Sequence, residues 1–409
     1  MTLPLWFPPL AAVLLMQITG AFQSQAIWVL GPVLTRIAGV APERIGELAG
    51  LVSLGSACFF MSGTPVLQRL GSLRALQLGA AIISASLILF FVPFWPTMML
   101  AAFLVGIGYG PTAPAGSDVL ARYTPPRHKG VMFSVKQAGA PFGGAVAGLM
   151  LPSLIEVIGW QAAIAVCALL GLIAIFLVQR IRRELDADRD PTVGVSLRTL
   201  LSPSTLRQPI VAIGLSPGLP LLTLAALCFA IIQGNLFSFG VTYLHDEIGL
   251  SLVEAGAASS VMLLTGMAGR VLMGFIADRT GSAIAVLKGI AVTSTLTTLA
   301  MSAIMPSWSY GAILAVCGVT GIAATTWNGV YLAEIARIAP KGRVGVATAG
   351  SVFFTFMGYT FGPMIFARAV SWVGAYGPVF AGVAGLGLVA GAALILAGRR
   401  VSTDASSAA

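Results

Sequence analysis

Apolar residues run along this chain in long stretches, each closed by a short polar or Gly/Pro-containing connection. A helix rises about 1.5 Å per residue, so about 20 residues cross a hydrocarbon core of about 30 Å. Runs of that length fall at about 5–30, 46–66, 73–93, 97–121, 131–153 and 158–180. Six more follow at about 219–242, 254–275, 282–304, 308–333, 345–367 and 377–397. Membrane barrel strands alternate every second residue over only about ten residues, which does not describe these runs. The pattern predicts an all-α membrane protein with 12 transmembrane helices. The first run has no basic flank and no small-residue cleavage site, so it is expected to be a span and not a removed signal.

Composition narrows the class. Charged residues make up 9% of the 409 positions and apolar ones 57%; a soluble domain carries roughly 25% charge. Soluble and disordered chains are thereby excluded. The 48 glycines are expected where helices cross closely in lipid. Cys58, Cys167, Cys228 and Cys317 sit in four separate runs without metal or disulfide spacing, and are expected to be small core residues.

The net charge of +9 comes from residues between the runs, with no basic stripe interleaved with aromatics, so no nucleic-acid partner is expected. With a cytoplasmic N-terminus, inner loops and tail hold 18 of the 23 Lys and Arg, and outer loops hold only Arg36, Arg44 and Arg368. That bias predicts both termini in the cytoplasm. Lys136 and Arg270 remain, inside spans.

Residues 181–210 are the one long polar stretch. They predict an N-terminal six-helix bundle at 1–180, a cytoplasmic central loop at 181–210, a C-terminal six-helix bundle at 211–398 and a cytoplasmic tail at 399–409. An internal repeat follows the division. At a shift of 215, Ala121-Arg122 falls on Ala336-Arg337, Pro125 on Pro340, Gly130-Val131 on Gly345-Val346 and Gly159 on Gly374. At a shift of 210, Gln68-Arg69-Leu70-Gly71 falls on Asp278-Arg279-Thr280-Gly281.

These loops resemble the G-x-x-x-D-R/K-x-G signature of the major facilitator superfamily, and the resemblance covers the whole chain. The second copy is complete in Gly274, Asp278, Arg279 and Gly281; the first keeps Arg69 and Gly71 but has Thr64 and Gln68 in place of Gly and Asp. The resemblance implies two pseudo-symmetric six-helix bundles, a cavity lined by helices 1, 4, 7 and 10, and an acidic latch in each loop. The departure at Gln68 implies that the first latch is weak or built from something else.

An ionisable group inside a span costs about 2.5–3.5 kcal/mol on insertion scales, so each needs a reason. Lys136 and Arg270 should lie about 8–9 Å to the cytoplasmic side of the midplane. One reading pairs them around an anionic substrate, with Arg270 offering a fork to a carboxylate. The other pairs Lys136 with Asp118, and Arg270 with Asp278 or a helix-end carbonyl. A cation in span 8 ahead of the signature is similar to the monocarboxylate porters and oxalate–formate exchangers, although their span 1 acidic motif and span 11 cation are absent. Asp118 and Glu334 are the acids nearest to membrane depth and the candidates for proton coupling or gating; Glu334 has Arg337 at i+3. Gln17, Gln23, Tyr109, Thr112, Gln233, Asn235, Trp327, Asn328 and Tyr331 lie on the helices that the resemblance assigns to the cavity, and complete the substrate-binding set. Gln137 points about 100° from Lys136 and need not share its role.

No phosphate-binding loop, nucleophile elbow or metal motif occurs, so no enzyme activity and no cofactor are expected. The leading expectation is a secondary-active transporter that moves a small organic anion, a carboxylate, by alternating access; proton symport is the leading coupling, and exchange for another anion stays open. A multidrug/proton antiporter is the alternative, and a ligand sensor that transports nothing is a third reading. Nineteen arginines against four lysines, with abundant Ala and Gly, suit a bacterial inner membrane and a GC-rich genome. The lipid bilayer, the anion and protons are the expected partners, and the protein is expected to be monomeric.

Overall fold

The structure is a computed structural model that describes residues 4–40 and 45–407. Arg44, assigned above to an outer loop, lies outside the described residues, as do residues 1–3, 41–43 and the last two of the tail. The described residues form helices joined by turns and loops, without strands. In chain order the helices are α1 (Phe7–Ile37), α2 (Ile45–Ser62), α3 (Thr64–Leu70), α4 (Ser72–Ile88), α5 (Trp95–Tyr109), α6 (Thr112–Tyr123), α7 (Lys129–Val178), α8 (Arg182–Leu185) and α9 (Leu197–Leu200). Then come α10 (Pro203–Ile213), α11 (Leu219–Thr242), α12 (Leu252–Thr280), α13 (Ala283–Ser302), α14 (Tyr310–Ala324), α15 (Trp327–Ile338), α16 (Val344–Val373) and α17 (Tyr376–Ser407).

Among the described residues, ten helices are long and apolar enough to cross a membrane. The count is eleven if Gly50–Ser62 and Thr64–Leu70, bent by 65°, form one span. Helix α7 holds 50 residues, more than twice a membrane thickness. Gly159, at φ 81° and ψ 160°, breaks it into residues 129–158 and 160–178. A side chain is strained at that φ, so glycine is what allows the break without a loop.

The chain forms two compact units. The first is Met1–Pro125, Gly139–Ala212 and Lys341–Gly350; the second is Pro126–Ala138, Ile213–Pro340 and Ser351–Ala409. Each unit includes a short segment from the other half of the sequence. These segments begin at residues 126 and 341, the offset of 215 that the repeat shows.

Both units use the same packing device. In the first, Gly55 and Gly106 bring α2 and α5 together so closely that a Cβ on either would strike the other backbone. The Ser56 hydroxyl donates to the Gly106 carbonyl at 2.9 Å. In the second, Gly321 does the same between α14 and α12, and the Thr265 hydroxyl donates to the Gly318 carbonyl at 2.8 Å. Small residues admit the dispersion contacts and interhelical bonds that hold helices together in lipid. Around these crossings, Ile27, Leu30, Leu87, Met98, Val105 and Cys167 form the core of the first unit. Tyr243, Met262, Met301, Cys317, Phe366 and Phe380 form that of the second. All four cysteines are free thiols, but Cys58 lies exposed on α2, which corrects the expectation that all four are core residues. An apolar side chain faces lipid at no cost, so hydropathy did not separate Cys58 from the others.

One span in each unit is interrupted at its middle. Helix α5 ends at Tyr109 and α6 begins at Thr112; α14 ends at Ala324 and α15 begins at Trp327. The two breaks are again 215 residues apart. The causes differ. Pro111 and Pro114 remove two donors from the first ladder. In the second, Thr325 and Thr326 turn their hydroxyls back onto the carbonyls of Gly321 and Ile322, at 2.8 and 2.9 Å, and the backbone leaves the helix there.

Candidate functional site

The break between α14 and α15 sits beside a dense polar cluster in the second unit. Thr325 ends α14, so its carbonyl has no donor from the helical ladder. The Arg270 Nε on α12 supplies one at 3.1 Å. The same guanidinium donates through Nη1 to the Gln137 carbonyl, also at 3.1 Å. A cation at a helix C-terminus is further favoured by the helix dipole. Lys136, buried to 1% exposure, donates from Nζ to the Gln137 side-chain oxygen at 3.0 Å. Gln137 therefore links the two cations, through its backbone to one and its side chain to the other. The 100° helical angle governs where a Cβ points, not where a long side chain or a carbonyl can reach.

Next to this lies a knot of donors on one acceptor. The Gln233 Oε1 on α11 receives Trp327 Nε1 at 2.9 Å, Tyr359 OH at 3.0 Å and Asn328 Nδ2 at 3.3 Å. An amide oxygen has two lone pairs, so three donors oversubscribe it. Tyr359 is also within hydrogen-bonding reach of Asn328 and within electrostatic reach of Arg270, which joins the knot to the cations. Trp327 stacks on Phe229 at 5.7 Å and packs against Tyr331 at 5.5 Å. The Tyr331 hydroxyl bonds Ser351, which meets Thr223 at 2.5 Å. Indole, amide, phenol, ammonium and guanidinium donors thus converge in this cluster. An added anion would find charge-assisted partners here.

Of the expected binding residues, Arg270, Lys136, Gln233, Trp327, Asn328 and Tyr331 come together in this unit. Asn235 is buried nearby without joining the network, its Oδ1 unpaired among the described residues. Gln17, Gln23, Tyr109 and Thr112 belong to the first unit. There Gln17 donates to the Tyr109 hydroxyl at 2.9 Å, and the Thr112 hydroxyl caps the Tyr109 carbonyl at 2.7 Å, across the α5–α6 break. Gln23 ties α1 to Ser84 at 2.9 Å and to the Cys167 carbonyl at 3.0 Å, deep in the core. Tyr359, Ser351 and Thr223 were not singled out from sequence, and Gln137 was named there only as pointing away from Lys136. Tyr359 and Ser351 lie on α16, outside the helices that the resemblance assigned to the cavity; a tyrosine inside an apolar run was the available signal.

The acids have partners of their own. Glu334, buried on α15, is held bidentately by Arg337 at 2.8 and 2.6 Å. Asp118 accepts from Ser72 at 2.6 Å and pairs with Arg122 at 3.0 Å. Asp278 accepts from the backbone N–H of Gly130 and Val131 at 2.6 and 2.8 Å. Gly274, one turn before it, faces Gly130 so closely that a Cβ on either would strike the other's carbonyl. The i, i+4 spacing in the signature thus places a small residue and a carboxylate on one helix face, with the first admitting the approach that the second ties. Gly281 ends α12 at φ 67°, and Arg279 is exposed on its last turn.

In the incomplete first copy, Thr64 and Gln68 border a cavity of about 120 Å³ with Asp118, Gly345 and Val346. Here the central loop supplies the carboxylates. Asp186 caps α4 by accepting from the N–H of Leu73 and Arg74 at 2.8 and 3.0 Å, and would collide with any Cβ at Gly71, whose φ is 86°. Arg69 donates to the Val193 carbonyl at 2.7 Å, and Asp188 pairs with Arg122 at 2.8 Å. Burial pushes the Asp186 carboxyl above its ordinary value despite the two backbone bonds, and bonds from Thr192 hold exposed Asp190 below its own.

A sequence profile of the Major Facilitator Superfamily matches residues 13–349. The chain belongs to the major facilitator superfamily. As a member it is a multi-pass membrane transporter and not an enzyme. Among this superfamily member's relatives is a hexuronate transporter of Bacillus subtilis, 23% identical over 373 residues, covering 87% of this chain and 86% of that one. A probable anion transporter of Arabidopsis thaliana is 29% identical over 140 residues, 33% of this chain; the match spans only about a third, 32%, of that relative's length. The human organic anion transporter MFSD10 shares the fold at a TM-score of 0.76 and 15% identity, covering 96% of this chain and 100% of that one.

Proposed function

We propose that this transporter carries a small organic anion, a carboxylate, by alternating access with proton symport. The observation that carries the reading is the Arg270 guanidinium, buried and forked onto the Thr325 and Gln137 carbonyls beside the Lys136 ammonium and the Gln233 knot. A carboxylate offers a charged, bidentate acceptor that competes well with two neutral carbonyls for that fork. The probable anion transporter of Arabidopsis thaliana and the hexuronate transporter point the same way. Gln17, Gln23, Tyr109, Thr112, Asn235 and Tyr331 remain the proposed supporting residues. Asp118 and Glu334 are the proposed proton-coupling or gate residues. The complete signature at Gly274, Asp278, Arg279 and Gly281, with Arg69 and Gly71 in the first loop, is the proposed latch.

The reading takes the chain as twelve passes in two six-helix bundles, 1–180 and 211–398, joined by 181–210, with both ends in the cytoplasm of a bacterial inner membrane and the protein a monomer. The 18-to-3 distribution of basic residues supports the orientation. The Gly159 break supports the count, because each part of α7 is long enough to cross. The test is uptake of labelled mono- and dicarboxylates into proteoliposomes under an inward proton gradient. Accumulation that Arg270→Ala abolishes is expected. Binding without vectorial uptake would leave a sensor, and proton-driven export of lipophilic cations instead would leave a drug antiporter.

A further inference from the structure

A cavity of the second unit, about 310 Å³, opens where the start of α7 meets the ends of α12 and α15 and the beginning of α13. Three cations line it from three elements: Arg127 from the 3-10 turn before α7, Lys129 from the first residue of α7, and Arg337 from the last turn of α15. Lys129 and Arg337 are within electrostatic reach of each other, so like charges converge on the space. Its two acids are already engaged. Asp278 holds the Gly130 and Val131 N–H groups, and Glu334 holds Arg337. Arg127 and Lys129 form no ion pair among the described residues. The other walls are apolar, made by Pro126 and by alanines of α12, α13 and α15.

Cations without carboxylate partners call for an anion. Apolar walls at the ends of membrane-spanning helices call for one that carries hydrocarbon with it. We propose that this cavity binds the phosphate headgroup of an anionic membrane lipid, with Arg127 and Lys129 on the phosphate and the alanine walls on the glycerol end. Basic pockets between the ends of membrane helices suit such headgroups on general electrostatic grounds. The occupant would lie against Asp278, so lipid binding would bear on the tie between α12 and α7.

The test uses the full-length protein, purified in detergent and examined by native mass spectrometry with phosphatidylglycerol, phosphatidylcholine or inorganic phosphate. Phosphatidylglycerol should be retained in preference to phosphatidylcholine. The double variant Arg127→Gln, Lys129→Gln should retain it about thirtyfold more weakly, the combined effect of removing two cations from an anionic headgroup. The charge-preserving double variant Arg127→Lys, Lys129→Arg should retain it like the wild type, which separates lost charge from lost folding. Equal retention of the two lipids, or no loss in the Gln variant, would overturn the site. Displacement of the lipid by millimolar inorganic phosphate would overturn the lipid as occupant and assign the cavity to a free phosphate.

Discussion

Asp278→Ala removes the tie between the end of α12 and the beginning of α7, and its cost can be worked from the geometry. The carboxylate accepts two backbone N–H bonds, at 2.6 and 2.8 Å, from the first turn of a long helix. A hydrogen bond to a charged group contributes about 1.5–3 kcal/mol, and an acid at a helix N-terminus adds about 0.3–1 kcal/mol. Asp278 is half-buried, so water replaces part of this and the lower end applies, about 3 kcal/mol. For a unit of about 200 residues, 1 kcal/mol moves the melting temperature by about 2–4 °C, so Asp278→Ala should lower it by about 6–12 °C. Asp278→Asn keeps one acceptor and should lose about half as much. The assay is thermal unfolding of the purified protein followed by intrinsic fluorescence, with Arg279→Gln as the neighbouring surface control. An Asp278→Ala protein that melts within about 2 °C of the wild type would refute the reasoning, because the two bonds would then contribute nothing net.

Three further outcomes are expected. Gln233→Leu withdraws the acceptor shared by Trp327, Asn328 and Tyr359, and should lower both the melting temperature and the affinity for substrate, read by thermal shift with and without ligand. Asp186 has a folded-state pKa above its unfolded value, so the folded state holds the proton longer and stability falls as pH rises from about 4 through the raised value; Asp186→Asn should flatten that slope in melting curves taken across the window. Asp118→Asn should leave substrate exchange intact and stop proton-driven accumulation in liposomes, and full accumulation would remove Asp118 from coupling.

Much of the framework was legible because lipid makes one demand on every span. About 20 apolar residues announce themselves without any partner, and the 215-residue repeat then located equivalent loops. The α5–α6 break was legible in principle, since Pro111 and Pro114 stand in the run. The α14–α15 break has neither Pro nor Gly at its centre. It arises from two threonine hydroxyls folding back and an arginine from another helix taking the freed carbonyl, and the second of these exists only in three dimensions. Arg270 and Lys136 stood out because charge inside a span is costly. Gln137 and Tyr359 did not, because neutral polar groups are cheap enough to occur as ordinary interhelical bonds. The first loop shows the same limit. Gln68 marked a missing carboxylate, but nothing local indicated that Asp186 and Asp188, over a hundred residues later, would dock there instead.

The measurement that bears most directly on the anion reading is a thermal-shift screen of the purified protein against small mono- and dicarboxylates, with lipophilic cations alongside. A ligand that binds the folded state raises the melting temperature by mass action, by about 2.7 kcal/mol of stability at a hundredfold excess over Kd. The account predicts stabilisation by a carboxylate in the wild type and none in Arg270→Ala, with that variant still folded. Stabilisation by cations alone, or an undiminished carboxylate shift in Arg270→Ala, would contradict it.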